Sequence, residues 1–298
     1  MRCVVSKRFD SCVCNRKLLL QLQTLRDFFM FSVLMSVYYK ENPVFLNESL
    51  KSIYDDQNLK PNQIILVKDG PLTNELEHVV HFWRVKLGAI LTIVPLDENV
   101  GLARALNSGL QYSHNDLVAR MDSDDIALPN RFSIQVDFMN KNPDIVASSA
   151  TLEEWDQTLT TTHGLRRLPL DMSSIRKFAK HRSPLSHPLV IFRKAVILEV
   201  NGYPELRKGQ DYALWSLLIN KGYNLANLSV ILLKMRAGDE MLDRRDASYF
   251  KYEYELLKFQ RKIGFLSVTD FYLNLFMKGG LRLSPRVFKR WAYKLTRH

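Results

Sequence analysis

The chain is 298 residues long, ample for one large domain or two small ones with a buried core, and its composition is that of an ordinary folded protein. A net charge of +11 points to an anionic partner, whether nucleic acid, anionic lipid or a phosphorylated substrate. All three cysteines, Cys3, Cys12 and Cys14, lie near the start, which excludes a disulfide frame or thiol catalyst from the body and fits a reducing compartment.

Residues 1–30 read as an extension outside the fold. Leu18-Leu19-Leu20 is too short an apolar core for a signal peptide, and no later run is long and apolar enough to span a membrane. Phe31 to Val37 is a first buried strand, ending in the polar turn Tyr38 to Pro43. Leu46, Leu50, Ile53 and Tyr54 have helical spacing. A second strand, Ile64 to Val67, closes on Lys68-Asp69-Gly70-Pro71, and Thr73 caps the helix that follows, with Glu75 and Glu77 in its first turn. Ile90 to Val94 is a third strand, and Asn99-Val100-Gly101 opens a helix through Leu110. Leu117 to Arg120 is a fourth strand. This βαβαβαβ order predicts a parallel sheet covered by helices, with polar residues of three strand ends on one edge.

The second half is more mixed. We expect a helix over 130–140, a strand over 145–149, a hairpin or loop over 150–169, and a strand from His187 to Phe192 with a polar entry. A turn at Asn201 to Pro204, a helix from Asp211 to Lys221, a strand from Val230 to Leu233 and a helix from Asp246 to Lys262 follow.

The fourth strand ends in Asp122-Ser123-Asp124-Asp125, three carboxylates within four residues. Two unit negative charges ~5 Å apart repel by about 3 kcal/mol at an effective dielectric near 20. A hard divalent cation offsets that repulsion and bridges to phosphates. The competing reading is a solvated acidic turn that caps the next helix. No G-x-G-x-x-G fingerprint and no P-loop occur, which disfavours hydride transfer and P-loop ATP hydrolysis.

Taken in order, Ser36 to Glu41, Val67 to Gly70, Asn99 to Leu102 with Asn107, Arg120 to Asp125, Gly209-Gln210-Asp211 and Trp215 resemble the family 2 glycosyltransferases, inverting enzymes of the GT-A fold. The likeness is greatest to bacterial enzymes of exopolysaccharide, capsule or O-antigen assembly, and it spans roughly Ser32 to Arg245. It implies a Rossmann-like, mostly parallel central sheet flanked by helices. Residues 31–125 would form the nucleotide-binding half of a transferase domain, 126–245 the acceptor half, and 246–298 a helical basic tail that associates with a membrane. It implies a nucleotide-sugar donor, UDP being the commonest nucleotide, and a polyprenyl-diphosphate-linked saccharide acceptor. Mg²⁺ or Mn²⁺ would be the cofactor, nucleic acid would not be a partner, and the site of action would be the cytoplasmic face of the cell membrane.

The resemblance also implies roles for single residues. Tyr38 and Glu41 would hold the base and ribose, Asp69 would contact the base, and Asn99, Arg104 and Asn107 would line the nucleotide side. Asp124 would bind the metal, Asp122 the ribose or the metal, and Asp125 would orient the donor sugar or cap a helix. Asp211 would be the catalytic base, favoured in its charged form by the helix dipole. His187 would lie near donor or acceptor sugar, or serve as a structural hydrogen bonder. Gln210 would reach a sugar hydroxyl. Trp215 would be core or a sugar platform. Two departures stand out: many members carry Asp where this chain has Lys68, and Glu where it has Gln210.

In the tail, Phe288, Trp291 and Leu295 share a helical face among Arg282, Arg286, Lys289, Arg290, Lys294 and Arg297, the pattern of an interfacial helix on anionic lipid or of a helix docked on the domain. Arg236, Arg244 and Arg245 would meet diphosphates or form a solvated loop. Arg290-Trp291 lacks the Gln of the processive Q-x-x-R-W motif, so one sugar is expected per encounter. The competing functions are a sugar-phosphate nucleotidylyltransferase, which would want a Gly- and Arg-bearing loop where Tyr38 to Glu41 stand, and a basic nucleic-acid-binding protein.

Overall fold

The computed structural model describes residues 30–237 and 249–283. The expected extension before Met30, Arg244 and Arg245, and the tail beyond 283 lie outside the described residues. β1 (Ser32–Val37), β2 (Gln63–Lys68), β3 (Leu91–Pro95) and β4 (Leu117–Arg120) alternate with α1 (Pro43–Tyr54), α2 (Asn74–Leu87) and α3 (Leu102–Gln111). Next come β5 (Ile126–Ala127), α4 (Arg131–Lys141), β6 (Ile145–Trp155), β7 (Thr162–Arg166), α5 (Met172–Phe178), β8 (Ile191–Arg193), α6 (Lys194–Glu199), α7 (Gln210–Asn220) and β9 (Asn224–Arg236). α8 (Phe250–Lys262) and α9 (Val268–Leu283) complete the described chain.

Among the described residues the strands form one sheet in the order β3-β2-β1-β4-β8-β6-β9-β5, with β7 on β6. The pairs β1–β2, β2–β3, β1–β4 and β6–β9 are parallel, while β8 runs antiparallel to both β4 and β6. Alternation along the strands divides the core between two faces. Val33, Met35 and Val37 join Ile64, Leu66, Trp83 and Phe132 on one side. Leu34, Ile65 and Val67 join Leu106, Phe192, Trp215 and Leu218 on the other. α3 lies close to the sheet because Gly109 has no side chain; a Cβ there would sit 2.5 Å from Val67 Cγ2 and 2.6 Å from Leu34 Cδ1.

The second half departs from the sequence reading in several places. His187–Leu189 is a 3-10 turn, and the strand begins only at Ile191. Pro188 has no N–H to give a ladder, which delays strand entry. β6 and β9 run well past 149 and before 230, pairing along their length, because polar positions such as Glu153 and Glu154 can continue a strand beyond the core. The short helices α5 and α6 and the two-residue β5 were not expected. They bury one residue apiece, Ile175 in α5, Ile197 in α6 and Ala127 in β5, too little to leave a periodic signal.

The order of the sheet fixes where a site can form. Moving out from β1, the chain goes to β2 and β3 on one side and to β4 on the other. The reversal lies between β1 and β4, and ligands of open α/β sheets bind beyond the strand ends at such a reversal.

Candidate active site

The turn after β1 and the turn after β4 meet at that reversal. β1 and β4 are parallel in register, with Leu34 beside Arg120, so Glu41 and Asp122–Asp125 leave the sheet as neighbours. Ser49 Oγ of α1 donates to the Asp122 carbonyl at 2.8 Å and holds the acidic turn to the first helix. Carboxylate oxygens of Asp122, Asp124 and Asp125 all lie within 4.8 Å of one another. Glu41 joins them through a hydrogen bond with Ser123, so it belongs to the acidic cluster. Burial, then the charges of Asp124 and Asp122, push its carboxyl up to about 7. Burial, then Asp122, push Asp124 up to about 6.

Asp125 is the innermost of the group, 1% exposed. Its Oδ1 accepts from the Arg236 N–H at 2.9 Å, and its Oδ2 meets no hydrogen-bond donor among the described residues. Burial and its two acidic neighbours raise its pKa well above the usual carboxylate range. It caps no helix, since α4 starts later, after Asn130. An all-oxygen set of carboxylates, one with an unsatisfied buried oxygen and three with raised pKa values, is the donor chemistry a hard divalent cation takes. The residues therefore fit such an ion.

Cations frame the cluster from below. Arg120, 1% exposed at the end of an apolar strand, pairs with Asp122 Oδ1 through Nη2, while its Nε and Nη1 find no acceptor among the described residues. Arg236 has its guanidinium engaged within the fold. Its Nη1 donates to the Asp124 carbonyl, its Nη2 pairs with Glu48, its Nε donates to the Gln157 carbonyl at 3.0 Å, and its guanidinium lies 4.2 Å from the Phe45 ring centre.

Several residues expected on the nucleotide side have their polar atoms engaged within the fold. Asp69 accepts from the N–H groups of Val100 at 2.7 Å and Gly101 at 3.2 Å and from Asn99 Nδ2 at 3.2 Å. Asp69 and Asn99 thus staple the loop before α3 to the end of β2. Burial raises the Asp69 pKa, and the two backbone bonds pull it partly back. Asn107 uses both ends of its amide on one residue: Nδ2 donates to the Tyr203 carbonyl at 2.9 Å and Oδ1 accepts from the Tyr203 N–H at 2.7 Å. It pins the 201–203 turn. Arg104 pairs with Glu205 at 2.6 Å on the surface. Lys68 pairs with Glu77 of α2. Tyr38 lies at the rim, edge-to-face with Tyr39 at 5.7 Å.

On the far side of the cluster lies a buried aromatic group. His187 Nε2 and Tyr203 Oη are 3.1 Å apart, and the Trp215 ring centre is 6.4 Å from that of His187 and 6.5 Å from that of Tyr203. Trp215 is wholly buried in the core, so it offers no platform for a sugar. Burial, then the positive charge of Arg120, hold His187 below its ordinary pKa. The negative charges of Asp211 and Asp122 both reach His187 and Tyr203. Asp211 stands in the first turn of α7, behind the left-handed Gly209. Gln210, next to Asp211, is buried. Arg120 and Tyr203 have no role of their own in the sequence reading, although an arginine inside an apolar strand is a legible anomaly.

Known proteins resemble this chain in sequence and in fold. Residues 32–199 match the family described as "Glycosyl transferase family 2". The chain is 38% identical over 275 residues to "Amylovoran biosynthesis glycosyltransferase AmsE" of Erwinia amylovora, covering 90% of this chain and 99% of that protein. It is 38% identical over 267 residues to "UDP-Gal:alpha-D-GlcNAc-diphosphoundecaprenol beta-1,3-galactosyltransferase" of Escherichia coli, covering 89% and 95%. Among solved structures, the mannosyltransferase PcManGT of Pyrobaculum calidifontis, in complex with GDP-Man and Mn²⁺, superposes with a TM-score of 0.59 at 17% identity, over 85% of this chain and 70% of that one. That likeness shows a shared GT-A-like fold.

Proposed function

The chain belongs to glycosyl transferase family 2, and from that premise we propose that it moves one sugar from a UDP-sugar to a lipid-linked saccharide, with inversion, during assembly of a surface polysaccharide. The observation that carries the reading is the meeting of Glu41, Asp122, Asp124 and Asp125 at the sheet's reversal. The 38% identical Escherichia coli enzyme, which uses UDP-Gal and a diphosphoundecaprenol-linked acceptor, supports the donor and acceptor classes, and AmsE supports polysaccharide assembly.

In this reading residues 31–125 bind the nucleotide and residues 126–245 receive the acceptor. Tyr38 flanks the base and ribose. Asp69 and Asn99 act at one remove, fixing the loop that borders the nucleotide. Asp122 and Asp124, with Asp125 behind them, would hold Mg²⁺ or Mn²⁺, which when bound offsets charge growing on the departing diphosphate. Asp211 takes the proton from the acceptor hydroxyl as that oxygen bonds to the anomeric carbon. The bond from that carbon to the diphosphate oxygen breaks on the opposite face, and its electron pair leaves with the nucleoside diphosphate. His187, held by Tyr203, would offer a hydrogen bond beside the reacting sugar. The basic C-terminal sequence supports a position at the inner membrane surface.

The test is product analysis. The protein is incubated with a panel of UDP-, GDP- and dTDP-sugars and a diphosphate-lipid saccharide, and the lipid is read by mass spectrometry and NMR. The reading predicts gain of one sugar of inverted anomeric configuration from one donor; gain of several sugars, or retention of configuration, would contradict it.

A further inference from the structure

Helix α9 has an inner side that is well used. Asn274 is fully buried, its Nδ2 donating to the carbonyls of Lys180 at 3.0 Å and Asp270 at 2.8 Å. Phe271 and Leu275 pack against the core. The outer side is bare. Phe276 is 81% exposed and Tyr272 63%, and Val268, Leu273 and Met277 are exposed with them. At about 100° per residue these side chains occupy one half of the helix circumference. No charged residue between 268 and 280 shares that half. The two charges in the stretch point elsewhere: Asp270 lies 3.7 Å from Lys180, and Lys278 Nζ is 5.7 Å from the ring centre of Tyr212.

The sequence that follows says what covers this face. From Lys278 to Arg297 there are seven Lys and Arg and no Asp or Glu, and Phe288 and Trp291 lie among them. A second copy docked on α9 would bring two such basic segments together. An anionic bilayer satisfies both features, taking the apolar arc into its acyl boundary and the basic side chains at its headgroups. The position of α9 matters as well. Lys278 lies over Tyr212, the residue after Asp211, and a Cβ on Gly209 would sit 3.2 Å from Leu256 of α8. The α8–α9 pair therefore leans on the turn that carries Asp211.

We infer that the outer face of α9 inserts into an anionic lipid surface and seats the Asp211 end of the site at that surface. The second clause rests on the transferase reading given above, since it is a lipid-borne acceptor that would arrive there. The insertion itself does not.

Insertion is tested on the full chain without donor or acceptor. Sedimentation with phosphatidylglycerol-containing vesicles is compared with pure phosphatidylcholine vesicles for the wild type, Phe276→Glu and Tyr272→Ser. Phe276→Trp reports insertion through its fluorescence. The wild type is expected to bind only the anionic vesicles, Phe276→Glu to bind them about tenfold or more weakly, and the Phe276→Trp emission to shift to the blue on binding. These side chains are exposed, so circular dichroism and nucleotide binding of the variants should match the wild type. Equal binding of wild type and Phe276→Glu, no blue shift, or a wild-type dimer that Phe276→Glu dissociates would overturn the inference. Vesicle binding in a protein that transfers no sugar would sink the transferase reading and leave the insertion standing.

Discussion

Glu41 shows how a single side chain changes meaning once its neighbours are known. The residue follows β1 and reads as a nucleotide contact, yet it shares its site with three aspartates and its carboxyl is held at about 7. Asp124 is held at about 6. Both values are raised above those of the unfolded chain, so the metal-free fold binds protons more tightly than the unfolded state does. It gains stability as pH falls through about 7 and then about 6, and the gain is complete below the unfolded carboxylate values near 4. The metal-free protein should therefore melt at a higher temperature near pH 5.5 than near pH 8 from these groups. Mn²⁺ added near pH 8, where these carboxylates are ionised, should raise the melting temperature, and near pH 6 its binding should also release protons. Scanning calorimetry in EDTA and in Mn²⁺ reads both effects. A metal-free melting temperature that rises from pH 5.5 to pH 8, with no response to Mn²⁺, would show that the cluster is not strained by its own charge.

The elements around the cluster are held by a few long-range clamps. The 201–203 turn, which carries Tyr203 to His187, hangs on the amide of Asn107 in α3. Asn201 and Gly202 both have positive φ, at +65° and +76°, and a Cβ on Gly202 would lie 2.3 Å from Asn107 Oδ1. Asn107→Ala leaves a backbone donor and acceptor unpaired and should cost about 1–3 kcal/mol. Gly202→Ala meets both the left-handed backbone and the clash and should cost at least about 1 kcal/mol. Urea unfolding measures both, and two unchanged midpoints would show that other contacts hold the turn. The same clamp marks the limit of reading from sequence. β1 to β4 and their helices were legible because each strand is a short apolar run closed by a turn. The gathering of Tyr38, Asp69 and the aspartates at one edge followed from topology. The partners of polar atoms were not legible: nothing in the spacing of Asn99 to Asn107 says that the Asn107 amide is taken by a residue 96 positions away. Nor does a buried carboxylate such as Asp69 announce that backbone N–H groups already occupy it.

At the scale of the molecule, one architecture places three chemistries in sequence. The reversal between β1 and β4 sets the acidic cluster, the β4–β8 pairing brings His187 beside it, and α7 closes the far side with Asp211. The +11 charge agrees with a phosphorylated donor and an anionic surface, and no helix among the described residues is long and apolar enough to cross a membrane. The central claim is a division of labour: the acidic cluster binds the donor and Asp211 performs the proton transfer. The most direct test measures donor binding by calorimetry and nucleoside diphosphate release in the presence of acceptor, for wild type, Asp124→Asn and Asp211→Asn. Asp211→Asn should bind the donor within about threefold of wild type while release falls at least about a hundredfold. Asp124→Asn should lose the metal-dependent part of donor binding. Wild-type turnover in Asp211→Asn, or unaltered metal-dependent binding in Asp124→Asn, would contradict the assignment.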